Sequence, residues 1–180
     1  MSDIIIIVAI AQNNAIGKDG DIPWRIKEDF LHFKELTMGY PCIMGDKTYE
    51  SLPANARPLP GRENIILTLE KDYRPTGIID NVKADVIVLH DFNEAISYCK
   101  KKGVKKAFIT GGATIYKLGL EVANYLELTQ VHNDYAADTF FPKIDFSKWE
   151  LIHREDKEGK DMKNGEKIEF SYLTYKRRRV

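Results

Sequence analysis

Residues 4–10 read IIIIVAI, an apolar run that is rich in β-branched side chains. A run of this length indicates a strand that is buried on both faces, because it is far too short to cross a bilayer as a helix. Acidic Asp3 stands where a secretory leader carries basic residues, and no small-residue cleavage site follows. Similar β-rich runs recur at residues 41–44, 64–67, 86–89, 106–110 and 125–131.

Segments with helical spacing of apolar residues separate these runs, at residues 25–36, 47–52, 92–101 and 113–121. Strands that are buried on both faces and alternate with helices predict an α/β fold built on a parallel sheet. Residues 149–158 and 167–176 flank the turn-prone residues 159–165, which predicts a C-terminal antiparallel hairpin. No repeat or linker divides the chain, so residues 1–180 are expected to form a single domain.

The composition argues against several classes of function. Lysine plus arginine (27) equals aspartate plus glutamate (27), so no overall field favours nucleic acid or a membrane surface. Cys42 and Cys99 lack disulfide or zinc spacing and are interpreted as buried thiols of a cytoplasmic protein. No metal site and no G-x-S-x-G elbow is predicted, and metal-ligand spacing is missing among the histidines: His32, His90, His132 and His153.

An acidic residue interrupts the apolar stripe of the first predicted helix. The stripe comprises Ile26, Phe30, Phe33 and Leu36, and Asp29 lies inside it. One interpretation is that Asp29 only complements the helix dipole. The other is that burial raises its pKa toward the range of proton handling, where it would also bind an amidine-like edge of a heterocycle.

Two strand-glycine-helix units are candidate anion sites. Gly111 and Gly112 separate a β-rich run from a helix, and Gly45 stands between another run and a helix that opens with Lys47 and Thr48. Neither unit is a P-loop or a G-x-G-x-x-G fingerprint, and each alone is compatible with an ordinary turn. Together they would suit a dinucleotide pyrophosphate.

Residues 57–62 read RPLPGR and form a proline-stiffened loop before the predicted strand at 64–67. One interpretation is that Arg62 is an ordinary charged residue of the surface. The other is that it faces a cleft, where its planar guanidinium would bind a carboxylate with two hydrogen bonds. Trp24 stands directly before the helix that carries Asp29. It is either an ordinary core residue or part of a pocket wall, where its indole N–H could donate a hydrogen bond.

These motifs, in this order, make the chain resemble bacterial-type dihydrofolate reductases from Ile4 to about Lys176. The resemblance implies a central eight-stranded, mostly parallel sheet with flanking helices, and NADPH-dependent reduction of 7,8-dihydrofolate to tetrahydrofolate for one-carbon metabolism. It also implies a cytoplasmic monomer that binds antifolate inhibitors. The motifs that carry it are Ile16-Gly17, Pro23-Trp24, Asp29 with Phe33, Ile43-Met-Gly with Thr48 and Ser51, residues 57–62, Gly111-Gly112 with Ile115-Tyr116, Leu128-Thr129, and Asp138-Thr139 before Phe141-Pro142.

The resemblance also implies roles for individual residues. Asp29, supported by Thr129 and by water ordered at Trp24, would favour protonation of the pterin. The lid at residues 15–22 would be held closed by Asp138. Substrate contacts would come from Ile7, Val8, Asp29, Phe30, Phe33, Leu52, Arg57, Leu59, Arg62 and Thr129. Cofactor contacts would come from Ala9, Ile16, Gly17, Gly20, Asp21, Ile22, Gly45, Lys47, Thr48, Leu67, Thr68, Leu69, Gly111, Gly112, Ala113, Thr114, Ile115 and Tyr116.

The chain departs from the family pattern near the expected adenosine 2′-phosphate. Asp46 and Thr114 stand where relatives often carry arginines, and Leu69 replaces a small hydroxyl residue. We therefore expect NADPH to be preferred over NADH by a smaller margin than in relatives with both arginines.

Two other functions compete with this interpretation. A pyrimidine reductase of riboflavin synthesis would share the fold and the reduced nicotinamide, but it would not explain Pro23-Trp24 together with Asp29. A nucleotide-binding module without catalysis would be favoured only if Asp29 were exposed to solvent.

Overall fold

A computed structural model describes residues 1–78 and 85–179. Its main sheet has eight strands in the order β5-β4-β3-β6-β1-β7-β10-β9, and a separate two-stranded sheet pairs β2 with β8. The strands are β1 (Asp3–Ala11), β2 (Ala15–Gly17), β3 (Cys42–Gly45), β4 (Asn64–Leu67), β5 (Val86–Leu89), β6 (Lys106–Gly111), β7 (Tyr125–Val131), β8 (Thr139–Phe140), β9 (Trp149–Lys160) and β10 (Lys167–Arg177).

The first apolar run forms β1, which lies in the middle of the sheet with parallel neighbours β6 and β7. Ile6 and Val8 face one core cluster, whereas Ile5 and Ile7 face a second cluster on the opposite side. The prediction of a strand buried on both faces is therefore confirmed, and the carboxyl ends of six parallel strands meet at one edge of the sheet.

Four α-helices flank this sheet among the described residues: α1 (Lys27–Thr37), α2 (Asp46–Glu50), α3 (Phe92–Lys102) and α4 (Ala113–Val122). None of these helices is long and apolar enough to cross a membrane. Local residues cap both ends of α3. The Asp91 side chain accepts a hydrogen bond from the Glu94 N–H at the start of the helix, and Gly103 ends it with a φ of 73°.

Two details of the predicted first helix are wrong. The helix starts at Lys27 and not at residue 25, because Ile26 stays extended and forms a β-bridge with Asp161 of the C-terminal hairpin. Phe30 was expected in the buried stripe, but its side chain is 47% exposed. Phe33 and Leu36 do pack against the core cluster that contains Ile7.

The C-terminal hairpin of β9 and β10 is confirmed, and β10 adds antiparallel to β7. The small sheet of β2 and β8 was not predicted, since runs of three and two residues carry no periodicity that a sequence could reveal. Cys42 and Cys99 are buried free thiols, and burial raises the pKa of Cys42 to about 12.

A buried amide fixes the loop between α2 and β4. The Asn64 side chain accepts a hydrogen bond from the Leu59 N–H (2.9 Å) and donates to the carbonyl oxygens of Leu59 (3.2 Å) and Arg62 (3.0 Å). Asn64 is fully buried, so these three backbone groups have no route to water. The side chain at the start of β4 therefore sets the position of the loop that carries Arg62.

We predict that Asn64→Ala lowers the free energy of unfolding by roughly 2–3 kcal/mol, because it leaves buried backbone groups unsatisfied. Urea denaturation followed by circular dichroism would measure the loss. Asn93→Ala, at an exposed position in α3, serves as the control and should change stability little. Equal effects of the two substitutions would show that the Asn64 contacts do not stabilise the loop.

Candidate active site

A half-buried carboxylate lies over the carboxyl edge of the sheet. Asp29 sits in the first turn of α1, and its Oδ1 accepts a 2.6 Å hydrogen bond from the buried Thr129 hydroxyl on β7. Burial raises the pKa of Asp29 to about 6, although the hydrogen bond from Thr129 works in the opposite direction. No side chain caps α1, so the Asp29 carboxylate is turned to the sheet and not to its own helix.

Aromatic groups back this carboxylate. Trp24 is 2% exposed and packs on Tyr135 with ring centroids 5.0 Å apart. Tyr172 of β10 pairs with Thr129 of β7. The Tyr172 ring stacks on His32 of α1, with the ring centroids 3.8 Å apart. The stacking of His32 on Tyr172 holds α1 against β10.

The apolar residues expected to contact substrate lie on β1, on α1 and in the segment between α2 and β4. Ile7, Val8 and Leu59 are buried, Phe33 and Leu52 are half-buried, and Phe30 is exposed. One apolar cluster brings together Ile7, Phe33, Leu52 and Leu59. The side chain of Val8 faces the cluster on the opposite side of the sheet, so the structure does not bring it to this wall.

The two arginines of the loop at residues 57–62 have different surroundings. Arg57 Nη1 donates to the carbonyl oxygens of Glu50 and Leu52, so this guanidinium holds the end of α2. Arg62 is 6% exposed, and it donates from Nε to the Pro60 carbonyl oxygen and from Nη1 to the Thr37 hydroxyl. Among the described residues, Arg62 Nη2 has no hydrogen-bond acceptor, which leaves one arm of its fork for a ligand.

Residues 15–22, the predicted lid, are anchored on two sides. The Asp19 N–H donates to Asp138 Oδ2 at 2.8 Å, and this contact together with the Thr139 hydroxyl holds the pKa of Asp138 below its usual range. On the other side, Lys163 of the hairpin turn lies 3.1 Å from Asp21 Oδ2 and also donates to the Ile22 carbonyl oxygen. Asp138 was predicted to hold the lid, whereas Lys163 was not.

The two predicted anion units come together where β3 and β6 end. A side chain at Gly112 would place its Cβ 3.2 Å from Thr48 Oγ1, and Gly111 has a φ of 130° that favours glycine. No side chain caps α4, so the N–H groups of its first turn are free to bind an anion. The close glycine contacts and these donors fit the pyrophosphate of a dinucleotide.

The other predicted cofactor residues line the same edge or the lid. Tyr116 and Thr68 are buried, and the Tyr116 hydroxyl donates to the Ile7 carbonyl oxygen at 3.0 Å. Leu67, at the end of β4, is also buried. Half-buried positions are Ala9, Ile16, Gly17, Ile22, Gly45, Thr48, Ala113 and Ile115, and exposed positions are Gly20, Asp21, Lys47, Leu69 and Thr114.

Sequence reasoning missed a second buried carboxylate, Asp161. Its Oδ1 accepts hydrogen bonds from the N–H groups of Arg25 (3.1 Å) and Lys163 (2.9 Å), so it ties the hairpin turn to the segment before α1. No local spacing links residues that are 136 positions apart, and only a comparison of related sequences would have shown the pair. In the described part of the chain, no group of three His, Cys, Asp or Glu side chains is placed to hold a metal ion.

The fold and the site are those of an α/β enzyme that binds a nucleotide cofactor at the carboxyl ends of its parallel strands. Residues 3–177 match the family model described as dihydrofolate reductase. The dihydrofolate reductase of Neisseria gonorrhoeae is 40% identical over 157 residues, which cover 87% of this chain and 90% of that protein. The dihydrofolate reductase of Bacillus subtilis is 34% identical over 175 residues, covering 97% and 95%.

A solved structure agrees with these sequence matches. The dihydrofolate reductase from Enterococcus faecalis, complexed with NADP(H) and RAB-propyl, superposes with a TM-score of 0.83 at 32% identity and covers 98% of this chain and 97% of that one. The chain therefore belongs to the dihydrofolate reductase family.

We predict that Asp29→Asn stabilises the protein at pH 8. The folded-state pKa of about 6 lies above the ordinary value of 3.8, so the folded state binds this proton more tightly than the unfolded state does. The contribution of Asp29 to the free energy of unfolding must then fall as pH rises from about 4 to about 6 and stay lower above that. Asp29→Asn removes this loss, which amounts to roughly 2–3 kcal/mol.

Urea unfolding at pH 4 and pH 8 would test this prediction. The gain should be present at pH 8 and nearly vanish at pH 4. Asp134→Asn, at an exposed loop position, is the control and should show no such dependence. A gain of equal size at both pH values would mean that Asp29 is not the buried acid described above.

Proposed function

We propose that Asp29 is the residue with which this chain reduces 7,8-dihydrofolate to 5,6,7,8-tetrahydrofolate. The chain is an oxidoreductase of the dihydrofolate reductase family, and its cofactor is NADPH. The observation that carries the proposal is the hydrogen bond from Thr129 to a carboxylate whose pKa burial has raised to about 6. A pKa close to neutrality suits a group that handles a proton at physiological pH.

Asp29 binds the amino edge of the pterin and favours protonation of its imine nitrogen. The Thr129 hydroxyl fixes the direction of the carboxylate, because it donates to one oxygen and leaves the other for the substrate. Trp24 lies between the lid and α1, where it closes one wall of the pocket and orders the water through which a proton reaches the pterin. NADPH supplies the hydride that the protonated pterin accepts.

The remaining substrate contacts follow from the walls of the cleft. Ile7, Phe30 and Phe33 pack on the pterin and benzoyl rings, joined by the side chains of Leu52 and Leu59. Val8 can contribute only its backbone, because its side chain faces the opposite cluster. Arg62 binds the carboxylate of the glutamyl part through the arm that the protein leaves free. Arg57 acts indirectly, by holding the end of α2 beside Leu52.

The cofactor lies along the carboxyl edge of the sheet. The first turn of α4 and the glycines Gly45, Gly111 and Gly112 hold its pyrophosphate, as the free N–H groups and the close backbone approach support. The lid at residues 15–22 covers the nicotinamide side and excludes water from the reacting atoms. Asp138 keeps the lid closed through the Asp19 N–H.

The wider setting follows from this function. We place the protein in the cytoplasm as a monomer and single domain of residues 1–180, where it supplies tetrahydrofolate for one-carbon metabolism and binds antifolate inhibitors. Unpaired buried thiols at Cys42 and Cys99 support a reducing compartment. Neither nucleic acid nor membrane is expected as a partner, because the formal net charge is zero. Burial of Asp29 disfavours a non-catalytic nucleotide-binding module, and the family match disfavours a riboflavin-pathway reductase.

The direct test is loss of NADPH absorbance when the purified protein meets dihydrofolate, in the unsubstituted chain and in Asp29→Asn. We expect Asp29→Asn to reduce hydride transfer by about two to four orders of magnitude at neutral pH. Activity should partly recover in acid, where dihydrofolate reaches the site already protonated. Loss of the same size at every pH would argue against proton handling, and unchanged activity would remove Asp29 from the site.

Arg62 is predicted to bind substrate and to take no part in the chemistry. Arg62→Lys keeps the charge but loses the planar fork, so the KM for dihydrofolate should rise by about tenfold or more. The KM for NADPH and kcat should barely change. Arg154→Lys, on the exposed face of β9, is the matched control. If Arg62→Lys instead weakened NADPH binding and spared dihydrofolate, the loop would serve the cofactor.

A further inference from the structure

The carboxyl ends of three neighbouring strands carry a polar cluster away from the substrate cleft. Asp46 follows β3, Thr68 follows β4 and His90 follows β5. The Thr68 hydroxyl donates to Asp46 Oδ2 at 2.7 Å, and His90 Nδ1 lies 2.9 Å from the Thr68 carbonyl oxygen. Because a carbonyl oxygen only accepts, His90 Nδ1 carries the proton in this contact.

The order of the strands places this cluster at the far end of the bound dinucleotide, if the proposed function holds. Asp29 and Thr129 lie beside β1 and β7, and Gly111 and Gly112 lie at β6 on the other side of β1. The strands β3 and β4 follow β6 in the same direction. Neighbouring strands are about 4.8 Å apart, so the end of β4 is roughly 10 Å from Gly111 and Gly112 at the end of β6. An adenosine ribose that continues beyond a pyrophosphate held at β6 and β3 would reach this point.

The Asp46 and Thr68 side chains of the cluster present hydrogen-bond acceptors and one negative charge. The proton of the Thr68 hydroxyl is committed to Asp46, and its oxygen accepts a hydrogen bond from the Glu70 N–H at 3.1 Å. Asp46 Oδ1 accepts a second hydrogen bond, from the Lys47 N–H at 2.6 Å. A phosphate needs donors and cations, whereas a free ribose hydroxyl donates a hydrogen bond to a carboxylate.

No fixed cation offsets this carboxylate within residues 1–78 and 85–179. The side chains of Lys47 and Lys71 are exposed and make no ion pair with a described residue. Thr114 offers an exposed hydroxyl, and Leu69, which follows Thr68, is an apolar side chain that is 92% exposed. A 2′-phosphate at this position would depend on exposed cations such as Lys47, Lys71 and Arg74, whose attraction salt screens.

We infer that Asp46, oriented by Thr68, recognises the free 2′-hydroxyl of the adenosine ribose, so that this chain uses NADH with an efficiency close to that with NADPH. Asp46 is then the residue that determines cofactor specificity. NADPH still binds, because the pyrophosphate and the nicotinamide keep all their contacts and exposed lysines attract the additional phosphate.

Binding of cofactor fragments tests this inference without catalysis. Isothermal titration calorimetry would measure the Kd of ADP-ribose and of its 2′-phosphate for the unsubstituted chain, Asp46→Asn and Glu121→Gln. Glu121 is exposed in the last turn of α4, near the amino ends of the strands and away from the proposed cofactor site. Glu121→Gln removes the same charge as Asp46→Asn and serves as the control. We expect the two Kd values of the unsubstituted chain to differ by less than about tenfold. Asp46→Asn should shift their ratio toward the 2′-phosphate by about tenfold or more, and Glu121→Gln should not shift it.

The ratio of kcat/KM for NADPH and NADH provides the second readout. Asp46→Arg should raise this ratio by about a hundredfold, and the change should shrink as salt rises. An equal ratio in Asp46→Arg and in the unsubstituted chain would overturn the inference, and so would a preference of the unsubstituted chain for NADPH above about tenfold. Failure to reduce dihydrofolate with either cofactor would instead overturn the proposed function, because the fragment Kd values do not depend on hydride transfer.

Discussion

Burial of β1 on both faces is the constraint on which the rest of the structure depends. A strand with apolar side chains on both faces needs a layer of packing on each side, and the crossovers that supply it make its neighbours parallel. Parallel strands all end at one edge of the sheet. For that reason Thr129, Gly111, Gly45 and Thr68, which are far apart in the chain, reach the same edge of the sheet.

Burial of Asp29 costs folding free energy. A carboxylate over an apolar cleft loses hydration, and one hydrogen bond from Thr129 offsets only part of that loss. Other contacts of α1 offset the rest of this cost, because His32 stacks on Tyr172 and Phe33 packs against the core. The same desolvation that costs stability brings the pKa of Asp29 into the range in which it is useful.

The sequence predicted those features that depend on local pattern. Apolar runs located the six parallel strands, and the fold class and the hairpin of β9 and β10 were confirmed. Asp29 stood out because its neighbours at helical spacing are apolar. What the sequence could not provide were contacts between distant segments. The bridge between Ile26 and Asp161 delays the start of α1, and Lys163 meets the lid across 142 positions.

The position of β10 between β7 and β9 has a consequence for synthesis of the protein. Until residues 167–177 leave the ribosome, the edge of β7 that they cover stays unpaired, and Tyr172 is missing from behind α1. A chain growing from its amino terminus can therefore assemble β1, β3 and β6 while Thr129 still lies at an open sheet edge. A chain that lacks residues 167–177 would therefore leave one edge of β7, which carries Thr129, without a partner strand.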